Sequence, residues 1–178
     1  MHGDVAEILF SREQIEERVK ELAAQVMGVY REQDVTVAVA LSGAFIFAAD
    51  LVRHLVERVE VVFVRSSSYG AGTSPSGRPR IQVYDQLDWT GRHVLLVEDI
   101  VDTGATLAAL VAELNTRGVA SVRTCCFLDK RSRRTAPVLV DFVGFELTGP
   151  EFVVGYGLDL DGRYRNLPYV GVLRPGAT

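Results

Sequence analysis

The stretch Val94-Leu95-Leu96-Val97-Glu98-Asp99-Ile100-Val101-Asp102-Thr103-Gly104-Ala105-Thr106-Leu107 decides how this chain is read. Its first half is a buried strand, His93–Val97, that ends in two adjacent carboxylates, Glu98 and Asp99. A third carboxylate, Asp102, follows after two apolar residues. Thr103, Gly104, Ala105 and Thr106 then open a segment of helical composition, Thr106–Arg117. In an open α/β sheet, ligands bind in crevices at the carboxyl ends of the strands, so this junction is where chemistry is expected.

The same rhythm extends to both sides. Ser11 and Gln14 form a capping box, and Ile15, Val19, Leu22, Ala23 and Val26 continue at helical spacing. Val35–Leu41 is a continuous Val-rich run, the pattern of a strand covered on both faces. Ala44–Glu57 reads as a helix and Val59–Val64 as a second buried strand. Further on, Ile81–Leu87 and Val119–Leu128 read as strands, with short strand-like pieces around Asp141–Phe145, Phe152–Tyr156 and Tyr169–Leu173. Strand–helix–strand repeated in this way predicts an α/β fold, a mostly parallel central sheet flanked by helices. The two chain ends break the rhythm and are expected to form a small appendage. Residues 66–80 carry almost no large apolar group. A loop of that length is a lid or binding loop, or else disordered, and composition leaves both open.

With 178 residues, 48% hydrophobic and 24% charged, the chain is expected to form one globular domain with a sizeable core. Nineteen basic against 23 acidic side chains leave a net charge of −4, which argues against nucleic acid or an anionic membrane as main partner. The only cysteines, Cys125 and Cys126, are adjacent. Bridging them would be strained, and no Cys/His cluster accompanies them, so they are expected to be small apolar residues of a strand. The N-terminus has neither a basic nor an apolar leader region, and no apolar run approaches the roughly 20 residues of a membrane helix. A soluble, cytoplasmic protein is expected.

The second half of the opening stretch is an anion cradle. Gly104 lets the backbone curl close to a ligand, free amides at the helix start point outward, and the Thr103 and Thr106 hydroxyls add donors. A phosphate is the natural guest. Glu98 and Asp99 would repel a bare phosphate; ribose hydroxyls or a hydrated Mg²⁺ would satisfy them. An ordinary N-cap accounts for one acidic residue and leaves that pair crowded without counter-charge. One ligand carrying a 5-phosphate, a diol and a metal-bound diphosphate satisfies the whole segment, and that describes 5-phosphoribosyl 1-pyrophosphate.

Val97–Leu107 resembles the phosphoribosyl pyrophosphate signature of the type I phosphoribosyltransferases. From about Phe10 to Leu173 the chain is similar to the hypoxanthine-guanine branch of that family. The resemblance implies a core parallel sheet, a hood built from the N-terminal residues and roughly residues 129–178, and a reaction of a 6-oxopurine base with 5-phosphoribosyl 1-pyrophosphate to give nucleotide and pyrophosphate. It implies Asp102 as general base near purine N7, with Glu98 and Asp99 on the ribose hydroxyls and magnesium. The 5-phosphate then sits on the backbone from Asp102 to Thr106. Lys130, in Asp129-Lys130-Arg131, matches the lysine that donates to the purine O6, whereas a solvated basic loop accounts for Arg133 and Arg134. Phe152 matches the residue that stacks on the base and Val153 one that meets its edge through backbone groups. Asp159 matches a residue of the magnesium shell and Arg165 an arginine on pyrophosphate. Ser68 and Tyr69 match the start of a lid, which turns the loop 66–80 toward a functional reading.

Leu41-Ser42-Gly43-Ala44 lines up with the family's pyrophosphate loop, for which the resemblance implies a cis bond between residues 41 and 42. Here Ser42 stands where a lysine usually follows the leucine, so pyrophosphate meets Ser42, Gly43 and the loop amides without that cation. The resemblance also implies a homodimer or homotetramer. Two alternatives share the scaffold: an RNA-binding attenuation regulator, disfavoured by the charge and by Lys130, and a phosphoribosyltransferase for xanthine.

Overall fold

The computed structural model describes residues 1–55, 58–67, 80–83 and 87–177. Along the chain run β1 (Val5–Phe10), α1 (Arg12–Tyr30), β2 (Val35–Ala40), α2 (Phe45–Val52), β3 (Val59–Ser67), β4 (Arg80–Val83), β5 (His93–Val101), α3 (Ala105–Thr116), β6 (Ser121–Asp129), β7 (Phe142–Glu146), β8 (Val153–Val154) and β9 (Val170–Leu173). The main sheet has the order β4-β3-β2-β5-β6-β7. Its pairings are parallel from β3 through β7, and only the edge strand β4 is antiparallel. This is the expected α/β fold.

Each helix exists because one stripe of it is apolar. Ser11 caps α1 through the expected reciprocal pair: Gln14 N–H donates to Ser11 Oγ at 3.3 Å and Ser11 N–H to Gln14 Oε1 at 2.8 Å. Ile15, Val19, Leu22, Ala23 and Val26 are then buried with Phe47 and Leu51 of α2 against Val35, Val37 and Val39. On the opposite face, Leu107, Leu110 and Leu114 of α3 cover Ala38, Val62, Val94, Leu96 and Cys126. Cys125 and Cys126 are free and buried in β6, as expected of small apolar residues, and burial pushes both thiols up.

Several bounds differ from expectation. The strand read as Val59–Val64 runs on to Ser67, where Ser66 and Ser67 pair with Ile81 and Arg80 of β4, so these ends of the segment read as the loop 66–80 are strand instead. The helix read as Ala44–Glu57 stops at Val52, where His54 N–H donates to Leu51 O and Leu55 N–H to Val52 O, i to i−3 bonds that tighten the last turn. The strand read as Ile81–Leu87 is described over Arg80–Val83, residues 84–86 lie outside the described residues, and Leu87 is in no strand. The strand read as His93–Val97 runs on to Val101, so Glu98 and Asp99 lie within it rather than beyond it. The chain ends meet in a second, antiparallel sheet ordered β1-β9-β8, while β7 is the last parallel strand of the main sheet.

Candidate active site

Side chains alternate along a strand, and because β5 continues through the acidic pair it sends Glu98 and Asp99 to opposite faces. Glu98 shares a small cavity of about 100 Å³ with Val101, Asp102, Thr103, Gly104, Thr106 and Leu107, at the mouth of α3. The Asp99 N–H donates to Glu98 Oε1 at 3.2 Å. Burial, with the charge of Asp99 beside it, holds the Glu98 carboxyl well above the usual carboxylate range. Asp99 faces the other side, where its Oδ2 packs on Gly43 so closely that a Cβ at residue 43 would overlap it.

The loop after β5 is fastened from outside. Gly104 caps α3 at φ +82°, the left-handed region that glycine tolerates best. A Cβ there would also lie 2.7 Å from Arg134 Cδ and 2.8 Å from Val138 Cγ1. Thr135 and Ala136 both donate their N–H to Thr103 O at 3.0 Å. Ala105 and Thr106 are exposed at the start of the helix, with the Thr106 side chain on the cavity wall. The loop is thus held by packing and backbone hydrogen bonds as well as by its glycine.

The segment after β6 folds back on this loop. Lys130 N–H donates to Val101 O at 2.9 Å. Its side chain is buried, and Nζ donates to Glu151 O at 2.7 Å, which sets the ammonium beside Phe152 and Val153. Two ammonium donors remain for another acceptor. Phe152 is 56% exposed, an aromatic residue open to solvent. The Phe152 carbonyl accepts from Leu173 N–H at 3.2 Å. By strand alternation the N–H and C=O of Val153 then point away from β9.

Asp159, Arg165, Ser42 and Gly43 converge through Gly157. Arg165 Nη2 pairs with Asp159 Oδ1 at 2.7 Å, and its Nη1 donates to Gly157 O at 2.5 Å. Gly157 in turn packs on the Gly43 carbonyl. The Leu41–Ser42 peptide is cis and Ser42 is exposed. Ser68 and Tyr69 lie outside the described residues. Glu98, Asp99 and Asp159 are not gathered into a closed metal site: among the described residues no group of three or more His, Cys, Asp or Glu side chains is so placed. Alternation along β5 and the Asp159–Arg165 pair are the physical reasons. An ion here would complete its shell with substrate oxygens and water, the usual habit of Mg²⁺.

Against known proteins, residues 6–161 match the family model described as phosphoribosyl transferase domain. The chain belongs to the phosphoribosyltransferase family. A Bacillus subtilis phosphoribosyltransferase, named hypoxanthine-guanine phosphoribosyltransferase, is 43% identical over 177 residues, covering 98% of this chain and 97% of the relative. A Mycobacterium avium protein of the same name is also 43% identical, over 179 residues, with 97% and 88% covered. A crystal structure of a hypoxanthine-guanine phosphoribosyltransferase from Bacillus anthracis, with HEPES in its active site, superposes with a TM-score of 0.88 at 37% identity, covering 96% of this chain and 99% of that one.

One group of residues in this phosphoribosyltransferase was misread from sequence. Arg133 and Arg134 are not merely solvated. Arg133 Nε lies 3.1 Å from Asp102 Oδ1, and Arg134 pairs with the buried Asp129, which Arg131 Nε also approaches at 3.3 Å. The available signal was position: a basic run just past the carboxyl end of a parallel strand opens into the same crevice as Asp102.

Proposed function

We propose that the chain is a purine-salvage enzyme that transfers the phosphoribosyl group of 5-phosphoribosyl 1-pyrophosphate to hypoxanthine or guanine, giving IMP or GMP and pyrophosphate. The observation that carries this reading is the cavity bounded by Glu98 and the Thr103–Thr106 loop, which joins a carboxylate wall to a phosphate-sized nest at a helix start. The names of the nearly full-length relatives support the base.

In this reading the 5-phosphate takes the amides and hydroxyls of residues 102–106, and Glu98 and Asp99 accept from the ribose hydroxyls. Purine N9 bonds to the anomeric carbon as the bond from that carbon to pyrophosphate oxygen breaks, the electron pair leaving with pyrophosphate. Asp102 takes the N7 proton. Lys130 donates to O6, an acceptor that adenine lacks, Phe152 stacks on the ring, and the outward backbone of Val153 meets its edge. The amides of Ser42 and Gly43, with Arg165, receive pyrophosphate.

Mg²⁺ fits the donors present: Glu98 is a buried carboxyl with a backbone N–H and no cation on it among the described residues, and Asp99 and Asp159 are hard oxygen donors. Glu98, Asp99 and Asp159 lie too far apart to share one ion directly and would hold Mg²⁺ through substrate oxygens and water, and bound there it would neutralise the leaving pyrophosphate. Residues 68–79, beginning at Ser68 and Tyr69, act as the lid that keeps water from the charged ribose centre, and both chain ends form the hood. A cytoplasmic homodimer or homotetramer completes the reading. It is supported by Val61 and Phe63 of β3, exposed on the sheet face that carries α1 and α2, with Phe45 of α2 also exposed.

The test is steady-state turnover of hypoxanthine, guanine, xanthine and adenine with 5-phosphoribosyl 1-pyrophosphate and Mg²⁺. Hypoxanthine and guanine are expected to be used and adenine refused. Turnover of adenine alone, or of no purine, contradicts the proposal.

A further inference from the structure

Of the arginines that follow β6, one touches the proton acceptor itself. Arg133 Nε is 3.1 Å from Asp102 Oδ1. That oxygen is screened from solvent and has no hydrogen-bond donor aligned on it, although the Asp102 side chain as a whole is 41% exposed. The contact is therefore an ion pair off the donor axis. The terminal torsion of an aspartate is broad and two-fold, so a half-exposed carboxylate without a partner would not present one oxygen in one place.

The pair is also held by backbone on both sides. Val101 O accepts from Lys130 N–H at 2.9 Å, and Thr103 O accepts from the N–H groups of Thr135 and Ala136 at 3.0 Å each. Asp102 thus sits between two clamps, and Arg133 sits between the residues that make them. Arg134, one residue on, turns away to Asp129 and the Val138 carbonyl and cannot substitute.

We propose that Arg133 is a positioning residue for phosphoribosyl transfer: its guanidinium fixes Oδ1 of Asp102 and so reserves Oδ2 for the purine N7 proton. This rests on the reading of Asp102 as proton acceptor. A fixed acceptor oxygen matters because proton transfer requires hydrogen-bond reach and alignment at the moment of reaction. Arg133 itself touches neither the base nor the sugar in this account.

The experiment uses the full chain, with single-turnover nucleotide formation from hypoxanthine, 5-phosphoribosyl 1-pyrophosphate and Mg²⁺, so that product release is not measured. Arg133→Met is expected to slow formation about tenfold, with the KM for 5-phosphoribosyl 1-pyrophosphate and the thermal midpoint unchanged. Arg133→Lys, which keeps a cation, is expected to recover part of the rate and serves on its own should the Met variant unfold. In an Asp102→Asn background, Arg133→Met is expected to cost nothing further, because its effect passes through the carboxylate. Unchanged formation in Arg133→Met and Arg133→Lys, or the same loss with and without Asp102, overturns the proposal. A wild-type protein that forms no nucleotide from any 6-oxopurine fails the functional reading instead, and that is seen before any variant is made.

Discussion

Ser42 is an exposed hydroxyl on a loop otherwise built from apolar and glycine residues. A lysine in its place would add a cation beside a polyanion. Ser42→Lys is accordingly expected to tighten binding of pyrophosphate and 5-phosphoribosyl 1-pyrophosphate by about tenfold, the worth of one charge-assisted contact. Calorimetric titration of each variant with pyrophosphate and Mg²⁺ checks it. Asp102→Asn keeps the shape of the loop but not its proton affinity. It is expected to lower turnover by about 10²–10⁴ while IMP binds within a few-fold of the parent, a contrast read from kcat against the nucleotide Kd.

Glu98 ties function to stability. Its folded carboxyl lies above the ordinary carboxylate range, so the folded chain holds a proton that the unfolded chain has released. That stabilises the fold relative to the charged form at low pH and is lost as the pH climbs toward the raised value. Glu98→Gln, neutral at every pH, is expected to raise the melting temperature of the ligand-free protein by about 2–4 °C near neutral pH. The difference should vanish below about pH 4, where both states of Glu98 are protonated. Thermal scans across that range provide the check, and ribose 5-phosphate should bind the Gln variant more weakly.

At the scale of elements, the end of β5 and the segment after β6 act as one unit. Lys130, Thr135 and Ala136 hydrogen-bond to the β5 loop, and Arg134, carried between them, lies against Gly104 while its guanidinium pairs with Asp129. The Asp129 side chain is 2% exposed and that of Arg134 18%, so removing one partner leaves a charge in a poor solvent. Asp129→Asn is expected to cost about 3 kcal/mol by chemical denaturation and to loosen the 102–106 loop that rests on Arg134. Sequence could not show this link. Composition identifies a basic run, but whether an arginine meets water or a buried acid depends on how the chain returns over the sheet.

The same distinction separates the legible elements from the rest. α1, β2 and α3 each carry an apolar pattern matching their own period and were readable from it. β1 was not: of Val5–Phe10 only Val5 is buried, and the strand forms because β9, over 160 residues later, pairs with it. β8 was read only as part of the strand-like piece Phe152–Tyr156, of which Val153 and Val154 form the strand. The extension of β5 through Glu98 and Asp99 was hidden because two acids look like a strand end, whereas here pairing with Cys126 and Leu128 of β6 carries the strand past them.

For the whole molecule, the small sheet formed by the chain ends and the loops at the carboxyl ends of β2, β5 and β6 are drawn together by close backbone approaches. Gly157 lies on Gly43, Gly43 on Asp99, and Lys130 reaches Glu151. The candidate site was legible as residue types at a strand–helix junction; its closure was not, because each of these contacts joins distant parts of the chain.

The most direct test of the account is a crystal structure with IMP bound. The phosphate is expected on the amides and hydroxyls of residues 102–106, the ribose hydroxyls toward Glu98 and Asp99, and the hypoxanthine ring over Phe152 with O6 at Lys130 Nζ. Nucleotide density elsewhere on the molecule, with the 102–106 loop bare, contradicts it.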